Sequence, residues 1–105
     1  MSITETIQKL VSYLTVVALL LPSSFAYATP TGGQVVTGAG IISQSGVTTT
    51  VTQSSQNLSL NWQKFNIAPQ ETVNFVQPSA TAIAVNRILD TSGTQILGHL
   101  NANGQ

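Results

Sequence analysis

Apolar and polar side chains alternate with a period of two through most of residues 47–86. Val47, Thr49 and Val51 alternate with Thr48, Thr50 and Thr52. Leu58, Leu60 and Trp62 alternate with Asn57, Ser59 and Asn61. Val73 and Phe75 alternate with Thr72 and Asn74, and Ile83 and Val85 with Ala82, Ala84 and Asn86. A strand sends successive side chains to opposite faces, so each pattern predicts one apolar face and one face of Thr, Asn or Ser. No segment after residue 28 carries a helical period. Between the patterns lie turn-forming groups: Thr31-Gly32-Gly33, Gly38-Ala39-Gly40, Ser45-Gly46, Ala68-Pro69-Gln70, Gln77-Pro78-Ser79, Thr91-Ser92-Gly93 and Asn103-Gly104. Turn signals every 8–12 residues or so are the mark of an all-β chain.

That spacing suits a sandwich, a barrel or a solenoid. Charge tilts the choice to the solenoid. Only 6% of the 105 residues are charged, against about 25% in an average globular domain. Ser, Thr, Asn and Gln supply 34 of the 77 residues that follow Ala28. Neutral hydroxyl and amide side chains stack in ladders, where like charges on successive coils would repel. The strand-like segments are also regular in length, although no fixed repeat period is visible. The C-terminal Asn101-Ala102-Asn103-Gly104-Gln105 shows no evident closing strand.

The same composition excludes several functions. Lys9, Lys64 and Arg87 are the only basic residues and are scattered, so no phosphate-neutralising patch forms and nucleic acid is not an expected partner. Without cysteine there is no disulfide, thiolate nucleophile or Cys-based zinc site. His99 is the only histidine, and Glu71 and Asp90 are the only acids after residue 28. A metal site needs several converging ligands, so no metal and no cofactor are expected. The two acids are far apart in sequence and have no third partner. Nucleophile-elbow and phosphate-loop patterns are missing, and catalysis is not expected.

Residues Leu10–Leu21 form an almost wholly apolar run of 12 residues. A membrane-spanning helix needs roughly 17–25. The run instead has the length of a signal-peptide centre, preceded by Lys9 and followed by Pro22, two serines and Ala26-Tyr27-Ala28. Small residues at Ala26 and Ala28 fit signal peptidase, which predicts a signal-peptide helix over 1–28 and cleavage before Thr29. Glu5 departs from a purely basic leader. The alternative is a buried core helix, which the Pro-Ser-Ser break argues against.

By Trp62 the chain resembles a known family. Thr31-Gly-Gly-Gln-Val-Val, Asn61-Trp-Gln-Lys-Phe-Asn-Ile, Glu71-Thr-Val-Asn-Phe-Val-Gln-Pro-Ser, Ala84-Val-Asn-Arg-Ile-Leu and Gln95-Ile-Leu-Gly-His-Leu-Asn-Ala-Asn-Gly-Gln follow in order. Together they resemble the N-terminal two-partner secretion, or haemagglutination-activity, domain of filamentous-haemagglutinin-like exoproteins. The resemblance implies the N-terminal part of a right-handed parallel β-helix, a pectin-lyase-like solenoid, with a β-strand cap. It implies a secretion-targeting module over 29–105, recognised by an outer-membrane β-barrel transporter with periplasmic recognition domains. The route it implies crosses the inner membrane and periplasm and ends outside the cell or on the outer-membrane surface.

Family members continue beyond the point where this sequence stops, so 29–105 is expected to be an incomplete domain. Too few stacked coils lead to the expectation of a chain that folds cooperatively only with its downstream coils. The recognition surface is expected within Asn61–Pro78 and at Arg87, with Asn61, Gln63, Lys64, Asn66, Glu71, Asn74 and Arg87 as candidates. Bland roles for the charges are an Arg87–Asp90 or Arg87–Glu71 pair. Trp62, Phe65 and Phe75 are expected in the core. An alternative function is adhesion to a host surface or glycan in the full-length parent. A third reading is a truncated fragment without function.

Overall fold

The computed structural model describes residues 28–105. The expected signal peptide, Ala26 included, lies outside them except for Ala28. The described chain is all-β. Seven strands follow in order: β1 (Gln34–Thr37), β2 (Gly40–Ser45), β3 (Thr48–Gln53), β4 (Asn57–Trp62), β5 (Thr72–Val76), β6 (Ile83–Ile88) and β7 (His99–Ala102). They form two sheets, one ordered β1-β4-β6 and the other β2-β3-β5-β7.

Each sheet begins antiparallel and continues parallel. β1 pairs antiparallel with β4, and β2 with β3 through a tight hairpin closed by Ser45↔Thr48. Gly46 in that turn has φ 57°, in the left-handed region that glycine enters without steric cost. Beyond these N-terminal strands β3-β5-β7 and β4-β6 run parallel. From β3 onward the chain thus alternates between the two sheets, each later strand lying beside the previous strand of its own sheet. Hydrogen bonds between successive parallel strands and the turns beside them span 24 residues from Trp62 to Asn86, 26 from Gln77 to Asn103 and 29 from Asn66 to Gln95. This unequal spacing is why no fixed period shows in the sequence.

The core lies between the sheets. Val51, Leu58, Leu60, Trp62, Phe65, Ile67, Val73 and Phe75 form one buried cluster. The expected inward faces of β3, β4 and β5 are therefore found, with Thr49 buried beside Val51. Trp62 and Phe65 meet edge to face, ring centroids 5.2 Å apart at 73°, a favoured arrangement for two aromatic quadrupoles.

Two expectations are corrected. In β6 the alternation has the opposite phase. Ile83 and Val85 are exposed, whereas Ala84 and Ile88 pack on the core. Register decides this: Leu58 pairs with Ala84, Leu60 with Asn86 and Trp62 with Ile88. In-register parallel neighbours project to the same face, so the strongly apolar β4 dictates which side of β6 turns inward. The C-terminal segment also holds a strand. β7 pairs parallel with β5, Val73 beside Leu100 and Phe75 beside Ala102. Its alternation is short and weak, and long-range pairing rather than local pattern makes it a strand.

Corners between the sheets are closed by polar side chains. Gln53 and Gln77 are both buried at one corner. Gln53 Nε2 donates to the carbonyls of Ser55, Gln56 and Ile83. Gln77 Nε2 donates to Gln53 Oε1 and to the carbonyls of Ala82 and Gln105. These amides satisfy turn carbonyls that no ladder can reach, which is the condition for burying them. At the opposite corner Gly98 lies against the backbone. A Cβ there would run into the carbonyl oxygens of Ala68 and Glu71. Gly98→Ala is therefore expected to destabilise the chain by about 1–3 kcal/mol through overpacking. Urea unfolding followed by circular dichroism checks it, and an unchanged midpoint contradicts it.

Candidate functional site

Backbone pairing is incomplete at four strand edges. The three-stranded sheet ends in β1 and β6, and the four-stranded sheet in β2 and β7. Each presents one row of backbone donors and acceptors unpaired within the sheets, the chemistry that lets an extended segment add as a further strand. Exposed apolar side chains accompany these edges: Val36 on β1, Ile41 on β2, Ile83 and Val85 on β6, and Leu100 on β7. At the β6/β7 end the core is open. A groove of about 140 Å³ there is lined by Phe75, Gln77, Ala84, Asn86, Leu100, Ala102 and Gln105.

The seven candidate recognition residues do not form one surface. Asn61 and Arg87 are direct neighbours across β4 and β6, and Gln34 of β1 continues the row beyond Asn61. Gln63 and Lys64 follow β4 and are exposed. Their backbone is tied to Thr31, whose carbonyl accepts Gln63 N–H at 2.9 Å and whose N–H donates to Lys64 O at 2.9 Å. Asn66 is half-buried and accepts Gln95 N–H through Oδ1 at 3.0 Å. Asn74 sits on the other sheet, in a row with Thr50 and Asn101, where Asn101 Nδ2 donates to Asn74 Oδ1 at 3.0 Å. Thr50, Asn74, Val76, Asn101 and Asn103 line a shallow groove of about 530 Å³.

Glu71 is the clear departure from expectation. It is 1% exposed and so is no surface contact in the folded domain. Its Oε1 accepts Ala68 N–H at 2.8 Å, closing the turn before β5. Oε2 is buried and has no hydrogen-bond partner among the described residues. The carboxylate is drawn inward because the Ala68-Pro69-Gln70 turn needs an acceptor for its free N–H, a demand that residue type alone does not reveal.

Asp90 has also found a local partner in place of Arg87. Its Oδ1 accepts the Ser92 N–H at 3.0 Å and the Ser92 hydroxyl at 2.5 Å. These bonds stabilise the ionised form and hold the Asp90 carboxyl below its ordinary value, with a small further effect of the Lys64 ammonium. Ser92→Ala is expected to raise the Asp90 midpoint toward the ordinary carboxylate value, as followed by NMR titration. A lowered folded-state pKa adds stability above the unfolded value, and that contribution fades as pH falls through the folded value. An unmoved midpoint in Ser92→Ala contradicts the assignment.

Sequence reasoning missed Gln53, Gln77, Asn86 and Asn103 as positioning residues. A signal was present: an amide stands at the end of β3, immediately after β5 and immediately after β7, three neighbouring parallel strands of one sheet. Among the described residues no three His, Cys, Asp or Glu side chains are grouped to hold a metal ion, and no helix is long and apolar enough to cross a membrane.

The model of the TPS secretion domain matches residues 26–105. The chain belongs to this family. It is a two-partner secretion domain, a targeting module of large secreted exoproteins, and the family is one of secretion domains rather than of enzymes. Membership implies export. A heme/hemopexin-binding protein of Haemophilus influenzae (strain ATCC 51907 / DSM 11121 / KW20 / Rd) is 32% identical over 99 residues, covering 88% of this chain and 11% of that protein. A second Haemophilus influenzae heme/hemopexin-binding protein is 38% identical over 56 residues, covering 53% of this chain and 6% of its own length. The chain thus spans about a tenth or less of these curated relatives. Among solved structures, the HMW1 secretion domain from Haemophilus influenzae superposes with a TM-score of 0.67 at 32% identity, covering 72% of this chain and 20% of that one.

Proposed function

We propose that residues 1–28 are a signal peptide, removed by signal peptidase before Thr29, and that residues 29–105 are the leading part of the secretion domain. The exported chain crosses the periplasm unfolded and is engaged there by the periplasmic recognition domains of its transporter. It then folds at the cell surface as the first coils of a right-handed parallel β-helix. The observation that carries this reading is the topology. Antiparallel β1 and β2 start the two sheets, and parallel, in-register strands then stack one coil at a time. Such a stack can nucleate at its first strands and propagate by adding neighbours to a free edge, an order compatible with a chain emerging N-terminus first from a pore. Each rung removes apolar surface from water, at about 25 cal/mol per Å². That gain accumulates outside and opposes return.

Low charge suits the passage, because few side chains need to shed tightly bound water in a narrow lumen. Within the extended chain, Asn61, Gln63, Lys64, Asn66, Glu71, Asn74 and Arg87 are all available to the transporter, Glu71 included. After folding, Asn61, Gln63, Lys64 and Arg87 remain grouped at the end of β4 and β6. Lys64 and Arg87 supply the positive charge that steers encounter with an acidic partner surface.

Secretion in cells carrying or lacking a cognate transporter tests the proposal. Material in the medium is expected only with the transporter, and N-terminal sequencing is expected to begin at Thr29. Lys64→Glu with Arg87→Glu is expected to lower the secreted amount several-fold while leaving inner-membrane export intact. Equal release without a transporter sinks the function. A secreted product that begins at Met1 sinks the processing step alone.

A further inference from the structure

We propose that Asn103–Gly104 is a modification site, an internal deamidation site that the fold holds silent and that the unfolded chain leaves reactive. It is the only Asn-Gly pair in the chain. The chemistry needs no enzyme. The Gly104 backbone nitrogen loses its proton and attacks Asn103 Cγ. An N–Cγ bond forms, the Cγ–Nδ2 bond breaks, and Nδ2 leaves as ammonia. The five-membered succinimide then takes up one water at either carbonyl, giving aspartate or isoaspartate. Glycine in the second position makes this fast, because no side chain hinders the approach of the nitrogen and its backbone turns freely.

In the folded chain both reacting groups are engaged elsewhere. The nucleophile, Gly104 N–H, donates to Gln77 Oε1 at 2.8 Å. The electrophile is held by its two side-chain atoms. Asn103 Oδ1 accepts Gln77 N–H at 2.7 Å, and Asn103 Nδ2 donates to Gln77 O at 2.8 Å. One step on, Gln105 N donates to Ala82 O and Gln105 O accepts Ala84 N–H, each at 2.8 Å. Asn103 itself is exposed, so water reaches it freely. Protection comes from pinned geometry rather than from burial.

The same packing demands the labile pair. A Cβ on residue 104 would lie 2.7 Å from Ala82 O and from Gln77 Oε1, so only glycine fits. Residue 103 must offer both a donor and an acceptor to one backbone unit, which among side chains of this length only asparagine does. The product cannot reproduce this. An aspartate oxygen in place of Nδ2 faces the Gln77 carbonyl, two acceptors with no proton between them. Isoaspartate lengthens the backbone and moves Gly104 N away from Gln77. A chain that stays unfolded too long therefore loses the corner that seats β7 beside β5.

The test follows deamidation at residue 103 by peptide mass spectrometry in the purified whole secretion domain, of which residues 29–105 are the proposed leading part. Native chain and chain in concentrated urea are incubated at the same mildly alkaline pH. Reaction through transient opening alone predicts a native rate slower by about tenfold or more. Gln77→Ala is expected to raise the native rate selectively at Asn103. Equal rates in native and denatured chain overturn the proposal, as does an unaltered native rate in a folded Gln77→Ala chain. If that variant does not fold, amide exchange of Gly104 in the native wild-type chain decides. Protection supports the proposal, and exchange at the rate of an exposed amide overturns it.

Discussion

Replacing Trp62 with alanine is expected to destabilise the folded chain by about 3–5 kcal/mol, the usual loss for a large aromatic removed from a core. Trp62 is 1% exposed and is the largest fully buried side chain. It meets Phe65 edge to face, and its Nε1 donates to Asn86 Oδ1 at 2.8 Å, joining β4 to β6. Gly33 leaves room for the ring, since a Cβ there would lie 2.5 Å from Trp62 Cζ3. The residue thus ties the N-terminal segment, β4 and β6 together. Measured in the whole secretion domain, of which residues 29–105 are the proposed leading part, that loss is a large share of the stability of about 5–15 kcal/mol that a domain commonly has. Trp62→Phe keeps most of the apolar volume and gives up the hydrogen bond. Its expected cost is about 1–2 kcal/mol, because half-buried Asn86 can turn to water. Urea unfolding by circular dichroism separates the two, since fluorescence disappears with the indole. A Trp62→Ala midpoint equal to that of Trp62→Phe would show that the ring is not central to the core.

Gln77→Glu is expected to cost a similar amount, about 3–5 kcal/mol at neutral pH, for an electrostatic reason. The change alters one group and almost no volume. Gln77 Nε2 donates to Gln53 Oε1, Ala82 O and Gln105 O at 3.1–3.2 Å. A carboxylate would turn an acceptor toward three acceptors, in a position 5% exposed. Burial and the facing oxygens both disfavour the charged form, so the introduced carboxyl takes a raised pKa in the folded state. The sign of the pH dependence follows. A carboxyl with a raised folded pKa binds its proton more tightly when folded. Its penalty is least below the ordinary glutamate value, about 4.3, and grows as pH rises from there toward the folded value. Wild type and variant should therefore differ most at neutral pH and converge in acid, where the protonated carboxyl can again donate once. A difference between them that is constant with pH would contradict the assigned role of the amide.

How much of this was legible without coordinates varies by residue. The turns at Ser45-Gly46 and Gln77-Pro78-Ser79 were readable because glycine and proline restrict the backbone locally. The inward faces of β3, β4 and β5 were readable because Val51, Leu58, Leu60, Trp62, Val73 and Phe75 leave only one apolar side. The ordered blocks around Trp62, Glu71, Arg87 and Leu97 carried the family. The candidate surface was legible only in part. Asn61 and Arg87 do stand side by side, but the alternation of a single strand cannot say which strand lies next to it.

Tertiary structure decided the rest, and the reason is shared. In β6 both phases are apolar enough to be inward, Ile83 with Val85 or Ala84 with Ile88, and a strand's own period cannot choose between them. Parallel register against β4 chooses, because it sets Ala84, Asn86 and Ile88 on the face of Leu58, Leu60 and Trp62. Glu71, Gln53 and Gln77 read as surface polar residues by type. They are buried because backbone groups at the corners need partners, and those groups come from segments distant in sequence, such as Ile83 for Gln53 and Gln105 for Gln77. Asn74 reads as a neighbour of Asn61 in sequence and stands on the other sheet in space. Local alternation and turn chemistry are properties of a few consecutive residues, so the amino-acid sequence determined the all-β class and most strands by itself. Phase, corner burial and the grouping of surface residues depend on which strand lies beside which, and only the tertiary structure settles that.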